Sequence, residues 1–121
     1  MLEKMIKWMT DHRGAVYYSM NYRNGQRINA SGVLSSSGRP GYDCSSAVYY
    51  SLVDAGFLPP TAWIGNTDSL YGDLERNGWT RLPLDASGNA KTQRGDIFLW
   101  GKRGASTGSF GHTGVFVDAD N

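Results

Sequence analysis

The chain has one cysteine and two histidines among its 121 residues, and this feature restricts how a fold can be stabilised. A single cysteine cannot form an internal disulfide. Three such side chains are also too few for a closed structural zinc site, which uses four ligands. The chain must therefore fold by burying a hydrophobic core, and its length allows one domain with one core.

That core has to be built from aromatic as well as aliphatic side chains. Leu, Ile, Val and Phe are only 23 of the 121 residues, a fraction that indicates disorder when the net charge is high. Here the formal net charge is +1, and Trp, Tyr and Phe make up 12% of the chain. Each aromatic side chain buries a large area and so replaces missing aliphatic surface. The balanced charge gives no reason to propose a nucleic acid or an anionic membrane surface as partner.

The N-terminal segment gives no indication of targeting. Residues 1–9 contain Lys4 and Lys7 and lack the uninterrupted apolar run of a signal peptide. No stretch of the sequence approaches the roughly 20 apolar residues of a membrane span. We therefore expect synthesis in a cytoplasm without a signal peptide, and no insertion into a membrane.

The order of the predicted elements indicates an α+β fold. Apolar residues at helical spacing predict three helices, of which the clearest begins after an N-cap at Asp43 and ends at Gly56. Short apolar runs next to glycines predict two strands later in the chain. Helices followed by strands are typical of an α+β fold rather than of alternating βαβ units. The predicted helices end near residues 14, 56 and 77, and the predicted strands cover 97–100 and 112–117.

Residues 24–40 are rich in Gly, Ser, Asn and Arg, and this composition predicts an exposed loop of about 17 residues. Loops of that length in compact domains are usually functional or disordered. We expect a substrate-facing insertion or simply a tolerated stretch of surface.

Cys44 is predicted at the start of the second helix, directly after the N-cap. The unpaired N–H groups and the positive end of the helix dipole favour an anion there, so the thiolate is favoured. The backbone N–H groups of Cys44 and Ser45 can also donate to an oxyanion. However, a cysteine on an apolar helix face is commonly a buried core residue, and Cys44 shares its face with Ala47 and Val48. Both interpretations remain open from these residues alone.

His112 opens the second predicted strand, between Gly111 and Gly114. The two glycines predict open space around the imidazole, which suits a group approaching it. A neutral imidazole beside the thiol can accept its proton and later protonate a leaving amine. A lone histidine near a glycine-rich loop is also typical of an ordinary surface residue. A cysteine at a capped helix start followed later by this histidine is the order that a Cys–His hydrolase needs.

Four motifs follow one another between residue 17 and the end of the chain. They are Tyr17-Tyr18, Tyr42-Asp43-Cys44-Ser45-Ser46, Arg94-Gly95-Asp96-Ile97-Phe98-Leu99-Trp100 and Gly111-His112-Thr113-Gly114-Val115-Phe116-Val117. In this order they resemble the aromatic segment, the nucleophile motif, the Gly-Asp-apolar strand and the histidine strand of NlpC-type papain-like cell-wall peptidases. Within that superfamily the chain is most similar to phage and prophage endolysins of gram-positive hosts.

The resemblance implies a papain-like domain in which the Cys44 helix packs on an antiparallel sheet that bears His112. It implies that Cys44 and His112 are the catalytic residues. It also implies that Tyr18, Asp43 and Ser45 support the nucleophile and the oxyanion. No metal and no organic cofactor are implied.

The function implied by the resemblance is that of a bacteriolytic, cysteine-dependent peptidoglycan hydrolase. Such an enzyme is made in the host cytoplasm and cleaves an amide bond of the wall, as an N-acetylmuramoyl-L-alanine amidase or a γ-D-glutamyl endopeptidase. A Cys–His amidase of the CHAP type shares the chemistry, although the motif around Cys44 fits it less well. The alternative is a non-catalytic cell-wall-binding module that uses exposed aromatic side chains. Trp63 and Trp100 are the candidates for contacts with the wall polymer.

The family uses a third polar residue, carried by the next strand, to orient the catalytic histidine. Counted from His112, that residue is expected just past Asn121, because Asp118 and Asp120 resemble the turn that precedes the strand. We therefore expect residues 1–121 to form a single catalytic domain without its final strands. A less well oriented His112 would lower the rate.

Overall fold

The computed structural model describes residues 1–83, 85–87, 90–100 and 111–117, and over these ranges the fold is α+β, as predicted. The helices are α1 (Leu2–His12), α2 (Cys44–Ala55) and α3 (Thr67–Arg76). The strands are β1 (Tyr17–Tyr18), β2 (Arg27–Ile28), β3 (Arg39–Tyr42), β4 (Ile97–Trp100) and β5 (His112–Val115). No helix in the described ranges has the length and apolar character needed to span a bilayer.

The described strands form two sheets. In the first, the order is β1-β3-β2, with β1 parallel and β2 antiparallel to β3. In the second, β4 and β5 form an antiparallel pair in which Trp100 lies opposite His112. Since β3 ends at Tyr42 and α2 begins at Cys44, the first sheet leads directly into the start of the second helix.

Helix α2 is at the centre of the core and packs against α1, α3 and β5. Its residues Val48, Tyr49 and Leu52 are fully buried, whereas the two flanking helices contribute mainly aliphatic side chains. The Tyr49 hydroxyl is 2.7 Å from the Ser69 Oγ and also donates to Asp73, which ties α2 to α3. The core cluster consists of Met5, Ile6, Val48, Tyr49, Leu52, Ala55, Leu58, Leu70 and Leu74.

The prediction that residues 24–40 form an exposed loop is wrong in part. This segment contains β2 and the beginning of β3, and Ile28 within it is fully buried. The glycines that favoured a loop instead permit close approach of the backbone: a Cβ at Gly38 would come within 2.0 Å of the Ile28 carbonyl oxygen. The tip of the segment does agree with the prediction, because Val33 and Leu34 are exposed.

Candidate active site

Helix α2 begins after Asp43, the predicted N-cap, and the structure adds a capping box formed with Ser46. The Asp43 Oδ1 accepts a hydrogen bond from the Ser46 backbone N–H at 2.8 Å, and the Ser46 Oγ accepts one from the Asp43 N–H at 3.0 Å. This reciprocal pair satisfies two backbone donors and fixes where the helix starts. Cys44 is consequently the first residue of the helix.

Two backbone N–H groups at this helix start remain available. The Ser46 N–H is used by the Asp43 side chain, and the Ala47 N–H donates to the Asp43 carbonyl at 3.1 Å. In the part of the chain that the structure describes, neither the Cys44 nor the Ser45 N–H has an acceptor. These donors lie at the positive end of α2, where a negative charge is stabilised.

The Cys44 thiol lies in the wall of a cleft rather than in the core. Its side chain is half-buried, whereas Val48, one turn further along α2, is fully buried. The cleft has a volume of about 200 Å³, so a small part of a substrate can approach the sulfur. The cleft is lined by Tyr18, Met20, Arg23, Asp43, Cys44, Ser45, Asn66 and Thr67.

Tyr18 is the last residue of β1 and lines this cleft, and it is 70% exposed. Lost hydration of the hydroxyl is the largest influence and raises the pKa of Tyr18; the neighbouring Cys44 and Asp43 also raise it, and Arg23 lowers it by less. The hydroxyl is therefore protonated near neutral pH and can donate a hydrogen bond into the cleft.

Arg23 is a residue of this cleft that the sequence analysis did not identify. Its Nε donates to the Asp43 Oδ2 at 2.9 Å and its Nη2 donates to the Ser45 Oγ at 2.9 Å. The same guanidinium donates to the backbone carbonyls of Ile64 and Gly65, at 3.3 and 2.5 Å. These partners are 20 to 42 residues away in sequence, so no local pattern could have indicated the contacts.

The Asp43 carboxylate is fully engaged by these neighbours. Burial opposes its ionisation and is the largest influence, but the hydrogen bonds from Arg23 and Ser46 together outweigh it and lower the pKa of Asp43. The side chains of Asp43 and Arg23 are only 11% and 19% exposed, so solvent screens this ion pair weakly. Asp43 is therefore a carboxylate whose charge stabilises the folded state.

We expect the Asp43→Asn variant to lose stability in a pH-dependent way. Asparagine retains the N-cap but not the ion pair, so the free energy of unfolding should fall by about 1–3 kcal/mol at pH 7. The pKa of Asp43 is lowered in the folded state, so its charge stabilises the wild type fully when the pH is above about 3.9, the ordinary pKa of an aspartate in the unfolded chain. This stabilisation is lost as the pH falls below that value and through the pKa of the folded state.

Urea unfolding of the wild type and the variant at pH 7 and below pH 3 measures this difference. The control is Asp54→Asn, which removes an exposed carboxylate from the same helix and should change stability little at either pH. A difference for Asp43→Asn that is the same at both pH values would contradict the prediction.

His112 lies at the start of β5, directly opposite Trp100, and its side chain is exposed. The open space predicted around it is filled on the Gly114 side. The Phe98 ring occupies the position beside Gly114, where a Cβ would come within 2.6 Å of it, and lies 5.5 Å from the His112 ring. The glycine thus makes room for an aromatic side chain that supports the imidazole on one side.

The structure brings together the elements that carry the two predicted catalytic residues. Helix α2 packs against β5, so the helix that begins with Cys44 and the strand that begins with His112 are in contact. His112 itself is not among the described residues that line the Cys44 cleft. The third catalytic residue was predicted just past Asn121, and the predicted turn that leads to it, residues 118–121, lies outside the described residues.

The two predicted aromatic contacts for the wall polymer are both exposed, by 70% at Trp63 and 65% at Trp100. The Trp63 ring lies close to Gly65, where a Cβ would come within 2.8 Å of it, next to the cleft residue Asn66. Trp100 is beside His112 on the neighbouring strand. The described residues contain no group of three or more His, Cys, Asp or Glu placed to hold a metal ion.

Comparison with known proteins places these features in a family. Residues 1–121 match the family described as bacteriophage peptidoglycan hydrolase. The chain is also 41% identical, over 120 residues, to a protein named lysin from Pneumococcus phage Dp-1. The matched region is 99% of this chain and 35% of that lysin, so the chain spans about a third of the length of its relative.

Proposed function

Because the chain belongs to the family of bacteriophage peptidoglycan hydrolases, we propose that it hydrolyses an amide bond of bacterial peptidoglycan, with Cys44 as nucleophile and His112 as proton carrier. The observation that carries this proposal is the position of Cys44. It is the first residue of a capped helix and lines a cleft, while the strand that bears His112 packs against the same helix. We also infer that the domain is papain-like, in keeping with a nucleophile helix packed on an antiparallel strand pair.

The reaction begins when the His112 imidazole accepts the Cys44 proton. The thiolate then attacks the carbonyl carbon of the scissile amide, which forms a C–S bond and places the negative charge on the carbonyl oxygen. The tetrahedral intermediate collapses as His112 returns the proton to the departing amine nitrogen. Water, deprotonated by the same imidazole, attacks the thioester and releases the carboxylate and the free thiol.

Three donors near Cys44 support a role in stabilising the oxyanion. The backbone N–H groups of Cys44 and Ser45 are available at the start of α2, and the Tyr18 hydroxyl lines the same cleft. Fixed donors stabilise a developing negative charge more than mobile water does, because they need no reorganisation as the charge forms. The side chains of Asp43 and Ser45 act indirectly, since the Asp43 carboxylate caps the helix and both side chains bind Arg23.

The substrate is the wall of a gram-positive bacterium, reached after synthesis in the host cytoplasm. The scissile bond is either the amide between muramic acid and L-alanine or the γ-glutamyl bond of the stem peptide. Trp63 and Trp100, both exposed and close to the two halves of the site, bind the wall polymer. The same exposed tryptophans are what a non-catalytic wall-binding module would use, so binding alone does not establish hydrolysis.

The products of digestion test the proposal directly. Purified gram-positive walls treated with the protein should lose turbidity and release new amino groups, which mass spectrometry then locates. A free amino group on the L-alanine next to the sugar identifies an amidase, and one on the third stem residue identifies a γ-glutamyl endopeptidase. Sedimentation of the protein with walls that gain no new amino groups would instead establish a binding module.

A further inference from the structure

We propose that Arg23 is a positioning residue of the Cys44 site: its guanidinium cancels the charge of the Asp43 carboxylate beside the thiol and fixes residues 64–65 against the start of α2. This inference rests on the proposed role of Cys44 as nucleophile. It is argued from the four hydrogen bonds of Arg23, from its position in the cleft wall and from its low exposure.

The charge of the capping carboxylate bears on the ionisation of the thiol. Asp43 directly precedes Cys44, and both residues line the cleft, so the carboxylate that caps the helix lies in the same cleft wall as the thiol. Two like charges within several ångströms disfavour each other, and this opposition is stronger where solvent is partly excluded. Arg23 binds the Asp43 Oδ2 at 2.9 Å and so supplies the compensating positive charge at the same place. The capping carboxylate can then start the helix without opposing the thiolate.

Arg23 also bears on the geometry of the site. Arg23 contacts the residues on both sides of Cys44, through the side chains of Asp43 and Ser45. It also donates to the carbonyls of residues 64 and 65, just before Asn66 caps helix α3. One planar guanidinium thus holds the nucleophile turn at a fixed separation from the segment that leads into the cleft residue Asn66. A lysine ammonium cannot reproduce all four directions, because it lacks the rigid fork of donors.

The charged and titratable groups around the thiol come from four segments of the chain. Tyr18 faces the cleft from β1, Arg23 from the segment before β2, and Asp43 from the start of α2. On α3, the lining residues Asn66 and Thr67 carry no charge. Strand β5, packed against α2, begins with His112. Among these, Arg23 is the permanent positive charge, since a guanidinium stays protonated at any pH used in an assay.

Alkylation of Cys44 by iodoacetamide measures this effect without any wall substrate. Cys44 is the one cysteine in the chain, so the rate reports on this thiol alone. We expect Arg23→Met to slow alkylation at pH 7 on the order of tenfold and to displace the pH profile to higher pH. The rate at high pH, where the thiol is fully ionised, should be unchanged. Arg23→Lys should retain most of the wild-type rate at pH 7.

The double variant Arg23→Met/Asp43→Asn separates electrostatics from structure. Removing the carboxylate together with the guanidinium should return the alkylation profile to near the wild-type position. A purely structural role predicts instead that the double variant is as slow as Arg23→Met, and that result would overturn the proposal. An Arg23→Lys variant as slow as Arg23→Met would overturn it too.

One comparison does not require replacement of Arg23. Asp43→Asn in the wild-type background keeps the guanidinium and should displace the alkylation profile to lower pH. An unchanged profile, or a displacement to higher pH, would overturn the proposal. This comparison holds even if Arg23→Met does not fold. Wall lysis by Arg23→Met and Arg23→Lys should fall further than their alkylation rates do, because neither side chain holds residues 64–65 as the guanidinium does. Alkylation needs no substrate, so the two proposals can fail separately. Absence of wall hydrolysis would overturn the proposed function, whereas the alkylation profiles would still test the role of Arg23.

Discussion

The Cys44→Ala variant is expected to lose lysis of gram-positive walls by on the order of 10⁴-fold or more. Alanine removes the sulfur that forms the bond to the carbonyl carbon, and the chain has no second thiol to replace it. The fold should be retained, because Cys44 lies outside the buried core and alanine is a good helix former. The measurement is the initial rate of turbidity loss, together with the release of amino groups from purified walls.

Two controls accompany this variant. Alkylation of the wild type with iodoacetamide should abolish lysis in parallel with labelling, because the chain has no second thiol that could be modified. Cys44→Ala should still sediment with walls to the same extent as the wild type, which shows that binding is intact. Equal lysis by Cys44→Ala and the wild type would exclude the thiol mechanism.

The His112→Ala variant is expected to reduce lysis by about 10²–10⁴-fold, the usual contribution of a general acid and base. Without the imidazole, the Cys44 proton has no acceptor and the departing amine has no proton donor. The His112 side chain is exposed, so a small base in solution can reach the vacated position. Exogenous imidazole should therefore restore part of the rate to His112→Ala and none to Cys44→Ala.

The second histidine of the chain supplies the matched control. His12, at the end of α1, stacks on Trp8 with ring centroids 3.7 Å apart, and its Nδ1 lies 2.6 Å from the Trp8 carbonyl oxygen. His12→Gln should keep wall lysis within about twofold of the wild type, because this ring takes no part in the proposed proton transfers. An equal loss in the two histidine variants would indicate a general effect on the fold rather than a catalytic role of His112.

The sequence predicts the local parts of the site well, because those parts depend on neighbouring residues. The capping aspartate at residue 43 determines where α2 begins, and so places Cys44 at its first turn. The apolar runs near the end of the chain likewise predict β4 and the beginning of β5. Each of these features depends on hydrogen bonds or on apolar residues within a few positions of one another, so a pattern in the sequence predicts it.

Contacts between distant segments were not predictable in the same way. The helical periodicity places Cys44 on an apolar face of α2, but it does not show whether other residues bury that end of the face. Only the tertiary structure shows that Cys44 lines a cleft. The glycines in 24–40 favour a loop, yet they allow the backbone to close around the buried Ile28. Gly114 suggests open space beside His112, yet Phe98 from the paired strand fills it.

The lone cysteine, its capped helix and the histidine strand are thus determined by the sequence itself, since each depends on residues adjacent along the chain. The tertiary structure decides that the thiol lines a cleft and that Arg23 compensates the carboxylate beside it. Those two outcomes depend on side chains that meet across 20 to 42 residues of sequence. Their partners are selected by the packing of the whole domain, so no local pattern specifies them.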